Sequence, residues 1–225
     1  PLQPLVAHRA GNDLAALAKA FATGVDFAEA DVWLRRGRLE VRHDKTAGPL
    51  PFLWERWTLK PGWTPRLLLH DVLAAASGHG RLFIDLKGSE ARIPDAVAGA
   101  VRQAGAGDSV AFSTPTWPFL DRLAELLPDA PLFYTLGKIE RLAELRPRLA
   151  RREIRCVSVD SRILTQEIML ELRAGGVGPV VSWAVETPED ARRVLGWGAG
   201  VTSKDLALLA AIRNGELSAG LDQTV

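Results

Sequence analysis

The sequence predicts an α/β protein, a single-domain (β/α)8 barrel spanning residues 1–225. Two observations predict it. Short apolar runs alternate with amphipathic helical patterns along the whole chain, which argues for a parallel sheet with helices on its faces. There are eight such units in 225 residues, a length that suits one closed barrel better than an open doubly wound sheet. In addition, no G-x-G-x-x-G follows the first apolar run, which argues against a dinucleotide-binding sheet.

The units follow in order. Pro4 to Ala7 is the first strand, ending in His8-Arg9, and Asn12 or Asp13 caps the helix Leu14 to Ala22. The second strand lies in F-A-E-A-D-V-W-L-R from Phe27. A short turn at Arg36-Gly37 returns it as an accessory strand, Leu39 to Val41, ending in His43-Asp44. Lys45 to Pro65 carries four prolines, two glycines and three tryptophans. It reads as a small irregular insertion, too broken for a helix and too apolar for a plain linker. Trp54, Trp57 and Trp63 are expected to cover the barrel rim or to meet an apolar part of a substrate. Leu67 to Ala76 closes the second unit as a helix.

The later units are plainer. Leu82 to Lys87 precedes a helix at Pro94 to Gln103, and Ser109 to Ser113 precedes Trp117 to Leu127. Leu132 to Leu136 leads to Ile139–Leu149, and Ile154 to Asp160 to Thr165–Arg173. Val180 to Val185 leads to Pro188–Leu195, with Thr187 as cap and Pro188 in the first helical turn. Ala199 to Thr202 leads to Leu206–Ile212.

Composition narrows the partners. The chain is 47% hydrophobic, enough for a sizeable core, and its formal net charge is +1 with no long block of one sign. Neither a nucleic-acid partner nor a polybasic membrane patch is expected from this. No apolar run reaches the length of a membrane span, so no stable span is expected. The lone Cys156 excludes an internal disulfide and reads as a buried small hydrophobe. The chain opens at Pro1 without a signal-like segment, and a cytoplasmic location is the expectation. The oligomeric state stays open.

In such barrels the chemistry sits at the carboxyl ends of the strands. Glu29 and Asp31 lie two apart, so they share one strand face, and Asp85 sits likewise between Ile84 and Leu86. In a parallel barrel that face is either interior or covered by helices, and acids there are costly unless a cation holds them. Three carboxylates without a thiolate favour a hard divalent cation, Mg²⁺ or Ca²⁺. His8 and His43, at two neighbouring strand ends, are the candidate proton-transfer pair. Arg9 and Lys87 are either ion-pair partners of the acids or ligands of an anionic substrate, phosphate being the natural candidate. Trp183 and Ser113 are candidate walls of the substrate pocket. His70, at a helix start, and His79, in G-H-G, are expected to be bystanders.

These residues resemble the glycerophosphodiester phosphodiesterase family. H-R-A-G at His8 resembles its opening H-R-G, E-A-D at Glu29 its E-x-D, R-H-D at His43 its H-D, and D-L-K at Asp85 its E-x-K. V-S-W-A-V-E-T-P-E-D-A and G-A-G-V-T-S-K-D-L-A-L-L resemble its late strands. The resemblance implies a TIM barrel with one divalent cation on Glu29, Asp31 and Asp85, His8 and His43 as acid and base, and Arg9 and Lys87 at the phosphate. The implied reaction cleaves a small-molecule or lipid-derived phosphodiester into an alcohol and a phosphomonoester such as glycerol phosphate. Ala10 departs from the usual glycine, Asp85 from the usual glutamate, and only Asn12-Asp13 remains of an E-N-T signature. The D-L-K feature is similar to the sphingomyelinase D and phospholipase D toxins, and the tryptophan-rich Lys45 to Pro65 stretch supports a lipid substrate, so a lysophospholipase D or sphingomyelinase D-like activity on a lipid headgroup is the alternative. A non-catalytic phosphate-binding barrel is another.

Overall fold

The computed structural model describes residues 3–46, 52–55, 58–61 and 65–217. Trp57 and Trp63, expected on the rim, lie outside the described residues. The strands in chain order are β1 (Leu5–Ala7), β2 (Phe27–Arg35), β3 (Arg38–Val41), β4 (Lys45–Thr46), β5 (Phe52–Glu55), β6 (Thr58–Pro61), β7 (Leu67–Leu68), β8 (Leu82–Lys87), β9 (Val110–Thr114), β10 (Leu132–Leu136), β11 (Cys156–Asp160), β12 (Val180–Trp183) and β13 (Gly200–Ser203). The helices are α1 (Leu14–Ala22), α2 (Leu69–Ala76), α3 (Ile93–Gln103), α4 (Trp117–Leu126), α5 (Leu142–Ala150), α6 (Gln166–Ala174), α7 (Pro188–Gly196) and α8 (Leu206–Arg213).

Eight parallel strands close into a barrel in the order β1-β2-β8-β9-β10-β11-β12-β13, with β13 pairing back to β1. A helix follows each of them, so the predicted (β/α)8 architecture is the one observed. Cap chemistry sets several helix starts: the Asp13 carboxylate accepts from Ala16 N–H at 2.8 Å, and the Thr187 hydroxyl accepts from Asp190 N–H at 3.1 Å, with Pro188 opening α7. Among the described residues no helix is long and apolar enough to cross a membrane.

The hydrophobic core has two parts, as alternation along a buried strand requires. Outward-facing residues such as Ala30, Ile84, Phe112, Val159 and Val201 pack under the helices. Inward, Val6, Phe27, Phe83, Ala111, Phe133, Cys156 and Val181 form a separate buried cluster that plugs the barrel. The ring of Phe83 lies 5.9 Å from that of Phe27 and 4.9 Å from that of Phe133.

Two features depart from the sequence reading. Lys45–Pro65 is not wholly irregular: β4, β5 and β6 form a small antiparallel sheet of their own. Its strands are two to four residues long and broken by prolines, so no period could register. The helix expected from Leu67 begins at Leu69, because Leu67 and Leu68 pair with Val41 and Glu40 as β7.

Candidate active site

Strand β2 is nine residues long and outruns the barrel wall. Its first half pairs with β1 and β8, and its second half returns as the β2–β3 hairpin above the carboxyl-terminal rim. Arg36 and Gly37 make the turn with φ of 49° and 76°. Glu29 and Asp31 therefore face inward directly above Phe27, and the pairing of Asp31 with Asp85 and of Asp85 with Ser113 carries the same face around the barrel.

The three acids converge. Glu29, Asp31 and Asp85 are all buried, and each offers a carboxylate oxygen within 4.8 Å of the others. Lys87 Nζ contacts Asp31 Oδ1 at 2.8 Å and also Asp85 Oδ2. Glu29 has weaker support, one hydrogen bond from the Arg9 backbone N–H at 3.0 Å and the His8 ring at 3.4 Å. Burial, together with Asp31 and Asp85 close by, pushes the Glu29 carboxyl up to about 8. Burial and Asp31 raise Asp85 as well, despite Lys87. Burial alone would also raise Asp31, but Lys87 and the Asn12 amide outweigh it and hold Asp31 below the usual carboxylate range. The same acids hold the Lys87 ammonium charged against its burial.

This donor set suits a hard divalent cation. Three oxygens from carboxylates, no sulfur, and one acid held protonated for want of positive charge are what such an ion would satisfy. Glu29, Asp31 and Asp85 are the residues that would hold it.

Both histidines reach the same rim. His8 follows β1, its backbone N–H donating to Ser203 O at 2.7 Å. Burial and the adjacent Arg9 lower its pKa to about 3, so its contact with Glu29 is between a neutral ring and a carboxyl and not an ion pair. His43 follows β3, and an Arg9 guanidinium N–H donates to its Nε2. Arg9 sits in the left-handed region with φ of 60°, which turns its backbone N–H to Glu29 while its side chain reaches His43.

Three supporting residues were missed or given other roles. The sequence marks Asn12 as a cap or as the remnant of an E-N-T signature, without a partner. Its amide N–H donates to Asp31 Oδ2 at 2.6 Å while its oxygen accepts from Asp31 N–H at 2.9 Å. Gly11 makes this approach possible, since a β-carbon there would lie 2.8 Å from Ala30 Cβ and Glu29 O. The sequence held a signal: only one of Asn12 and Asp13 is needed to cap α1, and Asp13 does it. Buried Glu40 was overlooked; it accepts from Arg42 Nε at 2.9 Å and Arg66 NH1 at 2.6 Å, and Arg42 also donates to Asp44 O. This pins the chain on either side of His43. Ser113, expected along the pocket, donates its hydroxyl to Asp85 Oδ1 at 3.0 Å and so orients an acid.

Trp183 lies inward at the end of β12, paired with Asp160. A β-carbon on Gly137 would touch its ring at 3.6 Å, and its buried indole N–H has no hydrogen-bond partner among the described residues. Beside Arg9, Asn12 and His43 opens a cleft of about 640 Å³ whose walls include Leu14, Leu53 and Leu67. It abuts the acids without containing them. His70 and His79 lie away from the acids, and His70 faces solvent beside Asp71.

Solved structures of known proteins share this arrangement of elements. A Silicibacter pomeroyi protein assigned as a glycerophosphoryl diester phosphodiesterase matches at 19% identity over 97% of this chain and 96% of its own, with a TM-score of 0.78. The chain has the fold of the glycerophosphodiester phosphodiesterases. A Parabacteroides distasonis glycerophosphodiester phosphodiesterase matches at 19% identity, 95% and 98% coverage and a TM-score of 0.73. An Oleispira antarctica phosphodiesterase, solved with its product sn-glycerol-3-phosphate, matches at 17% identity, 94% and 97% coverage and a TM-score of 0.75. No family model matches the chain, and no curated protein matches it in sequence.

Proposed function

We propose that this chain is a metal-dependent phosphodiesterase that hydrolyses glycerophosphodiesters to an alcohol and glycerol phosphate. The observation that carries the reading is the buried trio Glu29, Asp31 and Asp85 ringed by His8, His43, Arg9 and Lys87 on one barrel rim. The shared fold and the glycerol phosphate held by the Oleispira antarctica protein support it.

In this reading a divalent cation, Mg²⁺ or Ca²⁺, would supply charge stabilisation at the phosphoryl oxygens when bound by the three acids. The chain's own residues do the rest. Arg9 and Lys87 orient and neutralise the phosphate. His8, kept neutral by burial, takes the proton of the attacking hydroxyl. His43, beside the open cleft, would give a proton to the departing alcohol once the phosphate draws the Arg9 guanidinium off its Nε2. Trp183, inward at the end of β12, would offer its indole N–H to the substrate, while Ser113 and Asn12 hold Asp85 and Asp31 in place.

The cleft favours a second reading, a lysophospholipase D-like activity. Leu14, Leu53 and Leu67 line it next to His43, and an acyl chain would lie there on the glycerol phosphate half, which is retained while the headgroup alcohol departs. One screen tests both: glycerophosphocholine, glycerophosphoethanolamine, glycerophosphoglycerol and lysophospholipids, each with Mg²⁺ or Ca²⁺. Turnover of any one supports a phosphodiesterase, and its rank order chooses between the readings. Cation and phosphate binding with no turnover of any diester would instead make this a phosphate-binding barrel.

A further inference from the structure

We propose that the groove between α1 and α2 holds the far end of the acyl chain of a single-chain phospholipid whose phosphate sits at the candidate active site. The cleft beside His43 and this groove occupy one seam, one above the other. The cleft lies at the rim, between the residues that open α1 and those of β7 that lead into α2. The groove continues down the outside of the barrel between the two helices. Its volume is about 410 Å³, within the range of small-ligand sites. Leu14 is a wall of both, and the two meet at its side chain, which is 43% exposed.

The two differ in polarity, and the difference names the occupant. Arg9, Asp13, Arg42, Asp44 and Arg66 all line the cleft, which fits it to the phosphate, glycerol and ester of a lipid. Below Leu14 the walls are Leu17, Ala18 and Phe21 of α1 and Ala75 of α2, with His79 the one polar residue among the described walls. The α1 members recur at helical spacing, so an apolar stripe runs down the side of the helix that borders α2. From Leu14 to Ala22 it covers about 12 Å. Phe21 lies against Gly80, where any β-carbon would overlap its ring. A charged upper chamber that opens onto an apolar lower one matches a molecule with a phosphate at one end and a hydrocarbon chain at the other. The chain belongs to the glycerol phosphate half, so it stays in the groove while the headgroup alcohol departs. This proposal rests on the lipid reading above for the chemistry at the rim, and not on turnover.

Binding of n-alkyl phosphates tests this, because each carries a phosphate and a chain and none needs to be cleaved. Titration calorimetry of the whole chain with Mg²⁺ would follow the series from ethyl to dodecyl phosphate, each below its micelle concentration. Affinity should rise about threefold for each methylene taken from water, and level off when the chain reaches the foot of the groove. Ala18→Glu sets a carboxylate midway down the groove and should weaken decyl phosphate by about tenfold or more, with ethyl phosphate binding and circular dichroism unchanged. Ala18→Leu fills the groove without charge, keeps a strong helix former at that position, and serves if the glutamate variant misfolds. The proposal is overturned if affinity does not rise with chain length, absence of binding included. It is also overturned if the rise is the same in the Ala18 variants, which would end the chain in the upper cleft. A chain that cleaves no diester can still pass this test, and one that cleaves glycerophosphocholine can still fail it.

Discussion

The barrel interior has two layers built from the same strands, and they do opposite things. The lower layer, with Phe27, Phe83, Phe133 and Val181, is apolar and buried, with rings in direct contact. Two residues further along the same strands stand Glu29, Asp85, Thr135 and Trp183. The lower layer removes apolar area from water, and burying each such side chain contributes about 1.5–3 kcal/mol. The upper layer concentrates like charge in a dry place, as the raised carboxyls of Glu29 and Asp85 show. One short strand therefore holds stability at one end and reactivity at the other, with no more than one pleat between them.

Substitutions should separate the layers. The largest expected effect is on turnover: His8→Ala and His43→Ala should each lower kcat by about a hundred- to ten-thousand-fold, the usual contribution of general acid–base groups. Steady-state kinetics on the best diester from the screen measures this, with Tm nearly unchanged. Near-full turnover in both variants would remove the histidines from the mechanism. In the lower layer Phe133→Ala should cost about 3–5 kcal/mol of stability in urea unfolding, while kcat per folded molecule stays near wild type.

Lys87 couples the layers' opposite demands. Its ammonium is the charge between Asp31 and Asp85, so Lys87→Met should destabilise the metal-free protein by about 3 kcal/mol. Saturating Mg²⁺ or Ca²⁺ should restore much of that loss, because a cation satisfies the same carboxylates. Scanning calorimetry with and without cation reads it, and an equal loss in both would make Lys87 a structural partner only.

A smaller effect is the pH dependence of metal-free stability. Glu29 is raised from 4.5 to about 8, so the folded state holds a proton the unfolded chain releases, and this term loses stability as pH rises through that window. His8 is lowered from 6.5 to about 3, so its term gains stability as pH rises toward 6.5. The two oppose each other between about 4.5 and 6.5, and from there to about 8 only the Glu29 loss remains. Tm of the chelated protein should therefore fall between pH 6.5 and 8, and Glu29→Gln should flatten the slope. The smallest expected effect is at Cys156 in the lower layer, where burial pushes the thiol up to about 11. Native protein at pH 8 should resist iodoacetamide, and rapid alkylation would show that the plug opens.

What the sequence revealed follows the same division. Strands such as Leu82–Lys87 and Leu132–Leu136, and helix α1, agree with the sequence reading to the residue, because uniform apolar runs and caps mark buried elements sharply. The acids and histidines were visible because charge on a buried strand face is conspicuous. Asn12 and Ser113 were harder. A neutral side chain that orients an acid leaves no periodic trace, and only the fold brings position 12 to position 31. The β4–β6 sheet was hidden because its strands are too short to alternate more than once or twice.

Strand β2 fixes one more property of the chain. Glu29 and Asp31 point inward only in one pairing with β1 and β8, and Ala28 and Ala30 alternate with them. A slip of one residue would present the two alanines to the barrel and turn both acids under the helices. A deletion of one residue between Phe27 and Asp31 would therefore erase the cation site outright, whereas an insertion at Gly37 would lengthen only the turn. For directed evolution the hairpin tip is the place to vary length, and the five residues beneath it have no tolerance for a change in count.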